Sequence, residues 1–322
     1  MIQIREISYN LVKPVVTAKE VITERKGYSI RIEEEGHYGE GEVLPLIGWS
    51  KISGLEAKEE LLAFTSGKLR SAKLSNEVRA GVGMAHWNLK AEHMNIPLWS
   101  LLGGAAGSIQ VNALVGGVNE KELRKTLQTL QQQGSSVFKI KLGFHDDLER
   151  IRVLAEMLRT KEKIRLDPNG AWSLETAITN MEFANNLLGD RLEYVEDPVG
   201  TIGQLTELRE IVSVPIGTDD LTRDVENREI AFQEKLMDYI VVKPPFVGGI
   251  DDTLRISNHA RNKGIQVVVS STYDGPVGLR TWCHLATCLS PNIAHGLGTA
   301  MFIEDDQMKS LVPEGGKIHL RE

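Results

Sequence analysis

Two lysines stand on one face of a short apolar segment, Val137-Phe138-Lys139-Ile140-Lys141-Leu142. Side chains alternate along a strand, so Phe138, Ile140 and Leu142 face one way and both lysines the other. Burying an ammonium group is costly unless it is paired or its pKa falls, so two lysines on an inward face point to acid–base work. An exposed edge strand with a solvated polar face gives the same alternation. Further along, three strand-like segments end in carboxylates: Asp167 after Ile164-Arg165-Leu166, Glu196 after Tyr194-Val195, and Asp219 after Ile216-Gly217-Thr218. They lie 29 and 23 residues apart, about one strand–helix unit each. Singly, an Asp-Pro or Asp-Asp after a strand is commonly a turn or a helix N-cap. Three in register on consecutive strands repel one another unless a cation sits among them. Hard carboxylate ligands with open positions suit Mg²⁺, with Mn²⁺ as a substitute. A third lysine, Lys243, closes Ile240-Val241-Val242 one unit later. In a closed array it lies across from Lys139 and Lys141 with the acids between. Charge developing on a substrate carboxylate as the neighbouring C–H bond breaks would then be held by metal and lysines. Ser270-Ser271-Thr272 ends a later strand. It could give donors to a carboxylate or serve as a capped turn.

These residues need a scaffold that brings strand ends together. From about residue 108 strand and helix alternate, with strand candidates at Ile109–Leu114, Val137–Leu142, Lys163–Asp167, Leu192–Glu196, Val214–Thr218, Tyr239–Lys243, Ile265–Ser270 and Asn292–His295. Helical stretches fall between them, such as Asp146–Leu158 with Leu148, Ile151, Leu154 and Leu158 on one face. Eight such units predict a parallel sheet closed into a β/α barrel, whose strand carboxyl ends share one mouth. A doubly wound open sheet is the competitor, but Val115-Gly116-Gly117 lacks the GxGxxG spacing usual there. The first hundred residues differ. Ile2, Ile4 and Ile7 begin a strand, Tyr28–Glu33 and His37–Val43 continue with a turn at Glu35-Gly36, and Val78, Val82, Ala85 and Leu89 fall at helical spacing. The predicted class is α/β: a modified (β/α) TIM-type barrel over residues 106–299, with an N-terminal α+β capping domain over residues 1–105 completed by the C-terminal segment 300–322.

The bulk numbers set the company the chain keeps. Of 322 residues 41% are hydrophobic and 25% charged, ordinary for a globular protein, and the net charge is −7. That mild acidity argues against nucleic acid as a partner and leaves a small carboxylate substrate open. The absence of a long apolar run argues against a membrane span. Cys283 and Cys288 are the only cysteines, lie in a helical run and read as buried or half-buried thiols. With no signal-like N-terminus, they point to a reducing cytoplasm. His86 and His93 lack an evident third ligand and read as helix-surface residues, and Gly248-Gly249 reads as a plain turn.

At this point the sequence resembles the enolase superfamily, in its muconate-lactonising subgroup. The resemblance rests on K-I-K at Lys139–Lys141, D-P-N at Asp167–Asn169, V-E-D-P at Val195–Pro198, Thr218-Asp219-Asp220 and V-V-K-P at Val241–Pro244. In the capping part it rests on Gly39-Glu40-Gly41-Glu42 and Leu101-Leu102-Gly103-Gly104. Within the subgroup the chain is most similar to o-succinylbenzoate synthases, through Pro45–Ser50, Glu24-Arg25-Lys26-Gly27, Ser270-Ser271 and Gly296-Leu297-Gly298-Thr299. It departs at Gly275-Pro276, where relatives often carry a serine pair. The resemblance implies that Asp167, Glu196 and Asp219 bind Mg²⁺ and that Lys141 is the base. Lys243 would stabilise an enediolate from the opposite face, and Lys139 would keep Lys141 deprotonated by like-charge repulsion. Asn169, Ser270, Ser271 and Ser50 would contact substrate. The implied reaction is dehydration of 2-succinyl-6-hydroxy-2,4-cyclohexadiene-1-carboxylate in menaquinone biosynthesis. Racemisation of an N-acylamino acid or epimerisation of a dipeptide is the alternative, since the same lysines serve it. Dipeptide epimerases usually carry an acidic pair on the eighth strand, and its absence from Ala294–Gly298 counts against dipeptide epimerisation.

Overall fold

A computed structural model of the chain describes residues 1–16, 20–105 and 107–320. Three antiparallel strands come first, β1 (Ile2–Val16), β2 (Val21–Glu34) and β3 (His37–Val43). Glu35 and Gly36 make the expected turn, with φ of +52° and +82°, the left-handed pair that joins two twisted strands tightly. Helix α1 (Gly54–Thr65) starts at a reciprocal Ser53–Glu56 capping box. It packs with α2 (Asn76–His93) on one face of this sheet, where Ile30, Ile32, Val78, Val82, Ala85 and Leu89 form one core. The approach of α2 to β3 is backbone against backbone. A methyl at Gly41 would lie 2.0 Å from the Gly81 oxygen, and one at Gly39 2.1 Å from the Ala85 oxygen. A short helix, α3 (Leu98–Leu101), follows, and Gly103 at φ +78° ends it.

The rest winds into a parallel sheet ordered β11-β10-β9-β8-β7-β6-β5. Its strands are β5 (Ala113–Val115), β6 (Val137–Lys141), β7 (Lys163–Asp167), β8 (Leu192–Glu196), β9 (Ile216–Thr218), β10 (Tyr239–Val242) and β11 (Gln266–Val269). Between them run α4 (Glu120–Gln132), α5 (Asp147–Met157), α6 (Leu174–Leu188), α7 (Ile202–Ile211), α8 (Val225–Gln233), the single turn α9 (Pro244–Val247) and α10 (Ile250–Asn262). Helix α11 (Pro276–Leu289) follows β11. The eighth position is a bridge rather than a regular strand: Ser270 pairs with Gly296 and Val111 with His295, both parallel, which closes β11 back toward β5. Period-two alternation sorts the side chains. Phe138, Ile140, Ile164, Leu166, Val195, Ile216 and Val242 join the large core under the helices, while Tyr194, Val241 and Val268 form a separate cluster inside the barrel.

Three expectations need correction. Ile109–Leu114 is not one strand, because Gly107–Gln110 (β4) pairs antiparallel with the C-terminal β12 (Lys317–Leu320) and only Ala113–Val115 joins the barrel. Asn292–His295 does not form a full strand, since only the bridges at His295 and Gly296 pair. On α5, Ile151, Leu154 and Leu158 are buried but Leu148 is 36% exposed, and Val153 takes its place in the core. The C-terminal segment also touches the first sheet: Leu11 bridges Ile303, and the Glu304 N–H donates to the Asn10 oxygen at 2.9 Å. Cys283 is buried and Cys288 half-buried on α11, as expected. Among the described residues no helix is long and apolar enough to cross a membrane.

Candidate active site

Alternation on β6, β7 and β8 puts Lys139, Lys141, Asp167 and Glu196 on the barrel's inner face. Asp219 and Lys243 follow directly after β9 and β10. The Lys139 ammonium bridges two acids, at 2.8 Å from Asp167 Oδ2 and 2.5 Å from Glu196 Oε1. Lys141 Nζ lies 2.6 Å from Asp167 Oδ2 and donates to Asn169 Oδ1 at 2.7 Å. Lys243 pairs with Asp219. The six ionisable residues read from the sequence therefore converge, with Asn169 beside them. Asn169 sits at φ +52°, its N–H donating to Asp167 Oδ1 at 3.0 Å.

The acids are buried almost completely, so their ionisation depends on these partners. Burial opposes charge on Asp167, but Lys139 and Lys141 overcome it and hold the carboxyl below its ordinary range. Glu196 goes the other way: burial, with Asp167 and Asp219 nearby, pushes it up to about 7 despite Lys139. Burial also works against the charge on Lys139 and Lys243, yet the acids outweigh it and both are raised.

A metal can be tested against this cluster. Among the described residues no three Asp, Glu, His or Cys side chains are grouped closely enough to hold one ion, because lysine ammonium groups stand between the carboxylates. Glu196 Oε2, however, is buried with no hydrogen-bond partner in the described structure. A buried carboxylate oxygen left without a donor is costly. Together with the hard oxygen donors of Asp167 and Asp219, it fits a divalent cation of the magnesium type.

Residues quoted from the sequence only as members of motifs, Asp197, Arg25 and Glu42, together with Asp147, hold this cluster in place. Asp197, buried and at φ +41°, turns away from Glu196 and accepts the N–H groups of Asp219 at 3.0 Å and Asp220 at 2.8 Å. Burial and the neighbouring acids raise its pKa well above the carboxylate range. Asp147 accepts Trp172 Nε1 at 2.7 Å and the N–H groups of Gly143 and Phe144 at 2.9 and 3.1 Å, fixing the loop that leaves Lys141. Arg25, 2% exposed, reaches from β2 to the Leu44, Pro45 and Tyr273 oxygens. Glu42 at the end of β3 accepts the Val277 and Gly278 N–H groups at 3.2 and 2.9 Å, capping α11, and the Tyr9 hydroxyl at 2.9 Å. This explains the departure at Gly275: a methyl there would lie 2.4 Å from the Tyr9 ring and 2.5 Å from Glu42 Oε1.

The remaining expected contacts divide. Ser270 shares the inner face with Val268 and stands at the mouth, its hydroxyl 3.4 Å from the Gly296 oxygen. Ser271 is engaged within its loop, donating to Asp274 Oδ2 at 2.8 Å and accepting the Tyr273 N–H at 3.0 Å. Ser50 accepts the Leu46 N–H at 2.8 Å within the loop after β3. That loop is tied to the mouth through the Trp49 oxygen, which accepts from Arg223 at 2.7 Å. His93 packs against His37, with ring centroids 4.8 Å apart and the planes tilted by 50°. Gly248 and Gly249 are the plain turn expected, both at positive φ where α2 packs close.

A closed β/α barrel under an antiparallel cap, with acids and lysines on successive strand ends, defines a class of enzyme scaffold. Residues 122–322 match the family described as enolase C-terminal domain-like, and the chain belongs to the enolase superfamily. It is 26% identical to an o-succinylbenzoate synthase of Vibrio cholerae over 294 residues, 88% of this chain and 85% of that one. It is 30% identical to one of Thermobifida fusca over 198 residues, 60% of this chain and 59% of that one. Among solved structures it resembles the L-Ala-D/L-Glu epimerase of Bacillus subtilis, with a TM-score of 0.87 and 22% identity, covering 100% of this chain and 96% of that one. It also resembles a dipeptide epimerase of Enterococcus faecalis complexed with Mg and a dipeptide, with a TM-score of 0.85 and 22% identity over 94% and 91% of the two chains. These structural likenesses concern the fold.

Proposed function

We propose that the protein is a magnesium-dependent o-succinylbenzoate synthase, a hydro-lyase that converts 2-succinyl-6-hydroxy-2,4-cyclohexadiene-1-carboxylate to 2-succinylbenzoate in menaquinone biosynthesis. The observation that carries the reading is the meeting of Lys141 and Lys243, from strands on either side, on a buried set of three carboxylates. Sequence similarity to two proteins of that name supports the choice of reaction. A divalent cation held by Asp167, Glu196 and Asp219 would supply positive charge at the substrate's ring carboxylate. The chain's own residues do the rest. Lys141, unprotonated, takes the proton beside that carboxylate. The ring C–O bond then breaks, and the proton on Lys141 leaves with the hydroxyl as water, so one group serves as base and then acid. Lys243 faces the developing enediolate from the other side, and Lys139 adds positive charge beneath it. Asn169 and Ser270 stand where they can orient the substrate, and Ser50 lies on the loop tied to the mouth.

Racemisation of an N-acylamino acid, or epimerisation of a dipeptide, is the second reading, favoured by the same two lysines on opposite sides. The eighth barrel position counts against gripping a substrate ammonium there. His295 is buried and bonded to backbone, and Gly296 has no side chain. The test is a paired assay. The protein should dehydrate the cyclohexadiene substrate only with Mg²⁺ or Mn²⁺, and Lys141→Ala should abolish it. Full activity in excess chelator would sink the metal assignment. No dehydration alongside rapid α-proton exchange of an N-succinylamino acid in D₂O would favour the racemase.

A further inference from the structure

The segment after β11 carries four consecutive hydroxyls, of which Ser270 faces the Gly296 oxygen and Ser271, Thr272 and Tyr273 form the loop beyond it. Ser271 and Thr272 are engaged inside the loop. Ser271 donates to Asp274 Oδ2 and Thr272 to Asp274 Oδ1, each at 2.8 Å. The Tyr273 hydroxyl has no hydrogen-bond partner among the described residues, although the ring is largely enclosed. Its backbone is held firmly. Tyr273 sits at φ +59°, costly for a bulky side chain. Its N–H donates to Ser271 Oγ at 3.0 Å, and its oxygen accepts from Arg25 Nε at 3.2 Å. The ring packs edge-on against Phe302, with centroids 5.8 Å apart. A strained bulky residue that its surroundings over-determine is a reason to ask what it does. The loop leaves the carboxyl end of β11 directly after Ser270, which bridges Gly296, so Tyr273 stands at the mouth of the barrel.

We infer that Tyr273 is a specificity-determining residue whose hydroxyl donates a hydrogen bond to the carboxylate at the end of the substrate remote from the reacting carbon. This rests on the proposed reading of the mouth as a site for a ring carboxylate bearing a succinyl chain. The acids and lysines on β6 to β10 take the reacting end, which directs the chain toward β11 and the eighth position. There Ser271 and Thr272 are occupied, and Gly275 and Gly278 are bare to accommodate Tyr9 and Glu42. A phenol with a free donor on the loop that closes the mouth suits an anionic oxygen.

The experiment measures binding of 2-succinylbenzoate and of 2-butyrylbenzoate, which replaces only the remote carboxylate by a methyl, to the magnesium-loaded wild type and to Tyr273→Phe. The variant keeps the ring and its contact with Phe302. We expect wild type to prefer the succinyl compound. Tyr273→Phe should weaken that compound about tenfold or more while binding the butyryl compound as before. The unchanged butyryl affinity also reports an intact fold. Equal weakening of both compounds, no change in either, or a wild type that does not distinguish them would overturn the assignment. Failure of the dehydration reading shows separately, as a wild type that binds both compounds but turns over no cyclohexadiene substrate.

Discussion

His295 closes the barrel through its side chain as well as its backbone, and acid should reveal it. Its Nδ1 accepts the Val269 N–H at 3.0 Å, so its Nε2 carries the proton and donates to the Ser290 oxygen at 3.1 Å. The ring is fully buried, and burial, with Arg165 nearby, lowers its pKa from 6.5 to about 3. A second proton would turn Nδ1 from acceptor to donor against the Val269 N–H. The unfolded chain binds that proton near pH 6.5 and the folded one only near pH 3. Stability is therefore full above the unfolded value and falls with pH between the two, by about 1.4 kcal/mol per pH unit. From neutral pH down to about pH 4.5 the loss reaches about 2.7 kcal/mol. His295→Asn keeps an acceptor for Val269, loses the bond to Ser290 and cannot titrate. It should be less stable than wild type near neutrality, and the difference should shrink by about 2.7 kcal/mol at pH ~4.5. Urea unfolding of both proteins across this range measures it. Parallel stability curves would refute the argument, because other acid-sensitive groups act equally on both.

Glu196→Gln keeps an oxygen for Lys139 but removes a negative charge, and should weaken Mg²⁺ binding about tenfold or more in calorimetric titration; an unchanged affinity would remove Glu196 from the ligand set. Arg25→Met strands three carbonyl oxygens, those of Leu44, Pro45 and Tyr273, in a buried place. It should cost about 3 kcal/mol in equilibrium unfolding, and a loss under about 1 kcal/mol would mean that water replaces the guanidinium. Gly41→Ala would force a methyl to within 2.0 Å of the Gly81 oxygen, which has no flexible end to yield. We expect a loss of about 2 kcal/mol or more, and a melting temperature equal to wild type would show that α2 can shift freely on β3.

What the sequence discloses and what it hides differ for a physical reason. Period-two alternation alone forces Lys139 and Lys141 to one face and Phe138 and Ile140 to the other, and the observed burial follows it. The spacing of Asp167, Glu196 and Asp219 likewise carries over, because each residue ends or directly follows a strand of one parallel sheet. The eighth position is harder to read. Its segment gains its place from bridges to Val111 and Ser270, not from a pattern of its own. The cap contacts are harder still. Arg25 meets Tyr273 248 residues away, and Glu42 meets Gly278 236 residues away. Neither spacing nor periodicity speaks of partners so far apart. The glycines at 275 and 278 were the available sign, since both make room for Glu42.

The adjacent acids Glu196 and Asp197 show how the site depends on this hidden layer. In an unbroken strand Asp197 would point into the hydrophobic layer under the helices, where a carboxylate has no partner. Instead its backbone turns to φ +41°, and its two oxygens take the N–H groups of Asp219 and Asp220. The residue beside one acid of the cluster thus fixes the start of the loop that carries the next. Lys243 then meets Asp219 across β9 and β10. The strain at Asp197 persists because two backbone donors hold it there, and moving either would shift Asp219 relative to Glu196. The spacing of acids along the chain puts them on neighbouring strands. Asp197, by binding one strand end to the next, sets their separation in space.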